Sequence, residues 1–181
     1  MQQYSNFTEL LAMRADIQGK DAWQVPGSTT VYKSSKLYKL LRPFPVAPKP
    51  FQWIWKACVL PKHKFFFWLM IQDRINTRDL LTRKQFQIPS NECVLCDVTP
   101  IEDLYHLFFG CQFSKDFWHA LGFIWNDTDD HMALMQHGKI QYKHICFKEV
   151  LIIGSWALWN HRNKIIFDGD NRDLSLCISF F

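Results

Sequence analysis

The sequence predicts a mainly α fold, a small helical domain with an embedded Cys-Cys-His-Cys zinc knuckle, and three observations predict it. Apolar residues recur at helical spacing along much of the chain, and no run alternates cleanly enough for a strand. Hydrophobic residues make up 48%, with 16 Phe and 8 Trp, which is too much apolar surface to leave in water. Cys93, Cys96, His106 and Cys111 follow one another at Cys-x2-Cys-x9-His-x4-Cys spacing. Five or six helices are expected, with at most a short hairpin at the knuckle.

Residues 1–30 are mixed and end in the turn-forming Pro26-Gly27-Ser28-Thr29-Thr30, which reads as a loosely ordered leader. Leu37, Tyr38, Leu40 and Leu41 among Lys36, Lys39 and Arg42 predict a short basic amphipathic helix over Lys33–Leu41. Pro43, Pro45, Pro48 and Pro50 lock φ and lack an amide hydrogen, so an extended linker is expected before a new element at Phe51. That element carries Trp53, Ile54 and Trp55, and Leu60-Pro61 closes it before a second helix from about Lys62 through Ile71.

Thr77 is the expected N-cap of a third helix, Arg78 to Gln85. It turns Leu80, Leu81 and Phe86 to the core, keeps Arg74, Arg78, Arg83 and Lys84 wet, and is stopped by Pro89. After the cysteines, Ser114 is the expected N-cap of an aromatic helix with Phe117, Trp118 and Leu121, and Asn126 to Asp130 reads as an acidic loop. The last strong helix spans Phe147 to Phe167, with Val150, Leu151, Ile153, Trp156, Ala157 and Leu158 buried. His161, Arg162, Asn163 and Lys164 are expected as a polar turn near its end, before Asp168-Gly169-Asp170 breaks it. The tail to Phe181 is too short to classify.

Charge is unevenly spread. Residues 1–90 hold 14 Lys or Arg against 5 acids, and residues 91–181 hold 7 against 12, behind a net charge of only +4. Such a basic half attracts a polyanion, so RNA or DNA is the expected partner. Lys62, Lys64, Arg74 and Arg78 flank the aromatic helix and its following turn and are the candidate phosphate contacts. Trp53, Trp55 or Phe66 would stack on unpaired bases if exposed, although aromatics at this spacing are more often core. Met1–Leu11 contains no continuous apolar run, and Phe65–Ile71 and Val150–Trp159 fall short of the roughly 20 residues that span a bilayer. An intracellular protein of nucleus or cytoplasm is expected, with no membrane and no small-molecule substrate. In that reducing setting Cys58, Cys146 and Cys177 read as small buried apolar side chains with no further role.

Two cysteines separated by two residues form a tight knuckle that presents both sulfurs to one metal, and His106 and Cys111 complete four ligands. With every tetrahedral position taken by protein, no site stays open for water, so one structural Zn2+ is expected rather than a catalytic one. Asn91, Asp97, Thr99 and Pro100 supply turns, and Leu104, Leu107 and Phe108 would pack the loop onto a core. Glu102 and Asp103 suit the first turn of a helix that places His106 on its first exposed face. Unrelated buried cysteines and a core histidine, the plain alternative, would not converge.

The order Trp53-Ile54-Trp55-Lys56, Pro61 to Trp68, Asp73-Arg74-Ile75-Asn76-Thr77, Leu80-Leu81, Cys93-Val94-Leu95-Cys96, Glu102, His106-Leu107-Phe108, Cys111 and Trp118 resembles a known family. It is similar to the reverse-transcriptase zinc-binding domain found downstream of the polymerase in plant LINE-type, non-LTR retrotransposon polyproteins. The resemblance runs from about Val31 to Leu121. Val31 to Tyr38 and the Trp156, Trp159, Arg162, Asn163 and Phe167 pattern agree more loosely. It implies a zinc-binding domain over 31–125, with the acidic loop and C-terminal helix of 126–181 packing on it. It also implies a nucleic-acid-binding accessory module of a reverse transcriptase, with that polymerase as a possible partner. No Tyr-x-Asp-Asp-like carboxylate pair, Gly-rich phosphate loop, Gly-x-Ser-x-Gly elbow or deaminase His-x-Glu pattern is present, so no catalysis is expected. The chain reads as a detached or relic piece of a larger element, with a zinc-stabilised protein-interaction scaffold as the alternative.

Overall fold

The proline that ends the extended linker also begins the first helix. Pro50 sits in the first turn of α1 (Lys49–Lys56), where its missing amide hydrogen costs nothing. α1 buries Pro50, Trp53 and Ile54 and leaves Trp55 72% exposed. Pro61 starts α2 (Pro61–Met70) in the same way, and Phe66, Phe67 and Met70 form its buried side. Phe65 remains 61% exposed, stacked on Trp68. The Thr77 hydroxyl accepts the Leu80 amide at 3.3 Å and caps α3 (Arg78–Arg83), as its sequence position predicts.

These helices belong to a computed structural model that describes Ser34 and residues 47–98, 100–126 and 130–181. The expected leader and, Ser34 apart, the lead-in helix over Lys33–Leu41 lie outside the described residues, as do Asp127 to Asp129 of the acidic loop. After α3 come a π-helical turn (His106–Gly110), α4 (Gln112–Ala120), α5 (His131–Gln141), α6 (Phe147–Phe167) and α7 (Leu174–Ser179). Residues 47–181 make one unit, and among the described residues no strand forms. An isolated antiparallel bridge between Glu92 and Ile101 takes the place of the hairpin allowed at the knuckle.

α6 is the central element. It packs on α1, α2 and α7, and Leu151, Ile152, Ala157 and Leu158 are fully buried along it. Beside it lies an aromatic cluster around Trp118, whose ring meets Phe109, Phe117, Phe123 and Trp125 at centroid distances of 5.4 to 6.3 Å. Two glycines make room for these rings. A methyl group on Gly154 of α6 would come within 2.7 Å of Trp118, and one on Gly138 of α5 within 2.4 Å of Trp125.

Several expectations fail for identifiable reasons. Ser114 is not an N-cap: α4 begins at Gln112 with Cys111 in the cap position. Ser114 is buried inside the first turn, where its hydroxyl donates to the Leu107 carbonyl at 2.5 Å. Phe86 does not reach the core and is 61% exposed, because α3 stops at Arg83 and Gln85 turns the chain with a positive φ of 62°. Val150, Ile153 and Trp156 are only half-buried. Cys177 is buried as expected, but Cys58 and Cys146 are exposed in the turns that precede α2 and α6. α5 went unpredicted, capped by Asp130, whose carboxylate accepts the Met132 amide at 2.8 Å. The unclassified tail forms α7, capped by Asp173.

The largest difference lies near the end of α6. The helix runs to Phe167 as its sequence predicts, but His161 and Arg162 of the expected polar turn are buried within it. The His161 ring stacks on Phe113 at 5.2 Å, and its Nε2 accepts the Asp173 amide at 3.3 Å, which ties α7 to α6. Burial pushes the His161 pKa down, against the opposing pull of Asp173 and Asp170. The folded state therefore binds this proton less readily than the unfolded one. Docking of α7 is fully present above the unfolded value of about 6.5 and weakens as pH falls below it. Exchange protection of the α7 amides should drop as pH falls below about 6.5, and His161→Gln, which keeps an acceptor, should abolish the drop. Protection that is constant with pH in the unmutated protein would contradict this role.

Candidate metal centre

The knuckle is built from two short arms. The Cys93 amide donates to the Pro100 carbonyl and the Glu102 amide to the Asn91 carbonyl, both at 2.9 Å, so the arms around Cys93-x2-Cys96 are pinned together. Within the turn the Leu95 amide points at Cys93 Sγ, 3.4 Å away. Asp103 then caps the following turn, its carboxylate accepting the His106 amide at 2.6 Å. This fixes the backbone that carries the histidine.

The π-helical turn explains the His106-x4-Cys111 spacing. In an α-helix residues five apart lie about 140° around the axis from one another. The wider turn, closed by the Cys111 amide on the His106 carbonyl at 2.6 Å, brings the two nearer to one side. Leu107, Phe108 and Phe109 inside it are all buried, which anchors the turn in the core.

The four ligand atoms lie within 4.8 Å of one another. Cys96 Sγ and His106 Nε2 are 3.4 Å apart, against a sulfur-to-nitrogen edge of about 3.5 Å for tetrahedral zinc with bonds near 2.3 and 2.0 Å. Cys93 and Cys111 are buried, and Cys96 and His106 half-buried. Hydrogen bonds from the Cys93 thiol, and then from His106 and the Ser114 and Phe113 amides, outweigh burial and hold the Cys111 thiol well below its ordinary range. Cys93 is pushed up by the same bond and by burial, and Cys96 by burial. One sulfur thus already favours the thiolate that a metal requires. Three soft thiols and an imidazole converging on one point suit Zn2+.

Residues 32–118 match a family model described as zinc-binding in reverse transcriptase. This stretch is a reverse-transcriptase zinc-binding domain. Within it Cys93, Cys96, His106 and Cys111, the four side chains that the sequence nominated, form a cluster that could hold a metal ion. No curated protein and no solved structure matches the chain. Among the described residues no helix is long and apolar enough to cross a membrane.

The basic residues nominated in this domain fare differently. Lys62 is exposed, with its ammonium 5.7 Å from the Trp156 ring of α6, and Arg74 is exposed after α2. Lys64 is half-buried. Arg78 is committed to the knuckle: its guanidinium donates to the Glu92 carbonyl at 2.7 Å. Of the aromatics considered for base stacking, Trp53 and Phe66 are buried and Trp55 is exposed.

Glu102 lies near the metal cluster, and its role escaped the sequence reading. It precedes the helical turn instead of sitting in it, and it is fully buried. Its carboxylate accepts the Arg162 guanidinium of α6, with Nη2 at 2.5 Å and Nε at 3.1 and 3.2 Å. It also accepts the Arg78 amide at 3.1 Å, at the start of α3. A signal was available: Leu151, Ser155, Leu158 and Arg162 fall at helical spacing on one buried stripe.

Proposed function

We propose that this chain is the zinc-binding, nucleic-acid-binding accessory module of a reverse transcriptase of the plant LINE-type, non-LTR retroelements. It holds one structural Zn2+, works in nucleus or cytoplasm, and performs no catalysis of its own. The observation that carries this reading is the convergence of three sulfurs and one ring nitrogen within a family-matched reverse-transcriptase zinc-binding domain. Bound zinc supplies a rigid four-coordinate crosslink and no open coordination position.

For the nucleic-acid face, Lys62, Lys64 and Arg74 are the leading phosphate contacts. The exposed aromatics Trp55 and Phe65 each follow or precede a lysine, Lys56 and Lys64, as a surface that combines stacking with phosphate attraction requires. The pKa of His63 is lowered by burial and by Lys62, so it adds no charge there at neutral pH. The same exposed Trp55 and Phe65 favour a second reading, a zinc-stabilised scaffold that docks a polymerase.

Replacing Lys62, Lys64 and Arg74 together by Ala should weaken binding to single-stranded RNA and to duplex DNA alike. The logarithmic salt slope should become shallower by roughly one unit for each contact removed. Arg78→Ala belongs in a separate variant, since it removes the bond to the Glu92 carbonyl and should loosen the knuckle as well. A folded, zinc-loaded triple variant with unchanged affinity and salt slope would refute this face and put the scaffold reading first.

A further inference from the structure

The domain match ends at residue 118, yet the most deeply buried ion pair described in the protein joins the knuckle to a helix well beyond that point. Glu102 is 0% exposed and Arg162 3%. We infer that Glu102 and Arg162 are positioning residues for the metal centre, which makes docking of α6 and retention of zinc mutually dependent.

The pinning at Glu102 is unusually complete. Its amide donates to the Asn91 carbonyl, its carbonyl accepts the Asp79 amide at 3.1 Å, and its carboxylate takes the Arg78 amide and the Arg162 guanidinium. One residue therefore joins both arms of the knuckle, the start of α3 and the end of α6. The next residue is Asp103, whose carboxylate holds the His106 amide. A shift of Glu102 is thus transmitted through one peptide unit and one hydrogen bond to the backbone of His106. On the α6 side, Arg162 is held by stacking on Trp159 at 4.9 Å and by donating to Asn163 Oδ1 at 2.9 Å. Both ends of the pair are restrained, so movement of either one reaches the other.

Two buried charges taken from water return little net stability, and an apolar pair of similar volume would serve packing as well. What a bidentate ion pair supplies beyond packing is a fixed position and orientation. Groups that orient metal ligands from outside the coordination sphere typically change affinity by about 10- to 100-fold when removed. Linkage makes the effect reciprocal: whatever factor docking of α6 adds to zinc affinity, zinc adds to docking of α6.

The inference rests on the zinc reading, and the test separates the two. Zinc content of the purified full chain is measured first, and then zinc affinity by competition with a chromophoric chelator. The unmutated protein is compared with Glu102→Gln, Arg162→Lys and the double variant Glu102→Leu with Arg162→Met. The double variant removes both charges and keeps the fold should a single change leave an unpaired buried charge. Leu134→Ala is the control: it opens the core on α5, a helix that packs on α1. Positioning predicts a 10- to 100-fold loss of zinc affinity in the folded double variant, a loss in Arg162→Lys as well, and little change in Leu134→Ala at a matched fall in melting temperature. Amide protection over Phe147–Phe167 should also fall on chelation in the unmutated protein and change less in the double variant. Absence of bound zinc would overturn the zinc reading itself. Zinc bound with equal affinity in the double variant, or lost equally in Leu134→Ala, would overturn the positioning role and leave the zinc reading standing.

Discussion

Cys111→Ser should abolish stable zinc binding and unfasten the segment from Asn91 to Trp118. Cys111 is fully buried, supplies one of four ligand atoms, occupies the cap position of α4 and donates its amide to the His106 carbonyl. Structural zinc in small fingers is worth about 10 to 16 kcal/mol at pH 7, so an even share for one of four ligands is about 2.5 to 4 kcal/mol, or two to three orders of magnitude in Kd. Chelator competition gives the affinity, and hydrogen exchange over 91–118 gives the loosening. Cys177→Ser is the matched control, since Cys177 is just as buried but stands apart from the metal cluster. Acid should act in the same direction as the mutation, because thiolate and imidazole must lose protons to bind metal. A Cys111→Ser protein that keeps the original zinc affinity would mean that the four side chains do not act as one site.

Trp118→Ala should be the most damaging change outside the metal centre. Its ring is 1% exposed and is the hub of the aromatic cluster, and its Nε1 donates to the Phe108 carbonyl inside the π-helical turn at 2.6 Å. Truncating a buried Trp costs about 3 to 5 kcal/mol, and a buried carbonyl left without its donor adds to the loss. For a chain of this size that corresponds to a fall in melting temperature of roughly 10 to 20 °C. Gly154 of α6 lies directly against the ring and has no side chain with which to refill the space. Trp118→Phe, which keeps most of the apolar contact and loses the hydrogen bond, should cost less. Equal losses in the two variants would show that the hydrogen bond, and not the ring's packing, is what the cluster depends on.

Local signals were sufficient for much of this protein. The convergence of Cys93, Cys96, His106 and Cys111, α2, α3 with its Thr77 cap, and the span of α6 could all be read directly, because each is set by residues a few positions apart. Metal-ligand spacing, proline at a helix start and a capping hydroxyl all act within one turn of chain. α5 and α7 escaped because neither shows a clean apolar stripe: α5 buries Gly138 with Leu134 and Met135, and α7 buries only Cys177. Ser114 and Glu102 were assigned to helix starts that local preference favours, and each was drawn elsewhere by a partner in the core. Arg162 is the plainest case. By composition it belongs in water, and its burial depends on a carboxylate sixty residues away. The sequence by itself determined which four atoms can hold the metal. The tertiary structure alone decided that a helix beyond the matched domain holds the knuckle in place, because the charge that makes burying Arg162 tolerable arrives only when the chain has folded.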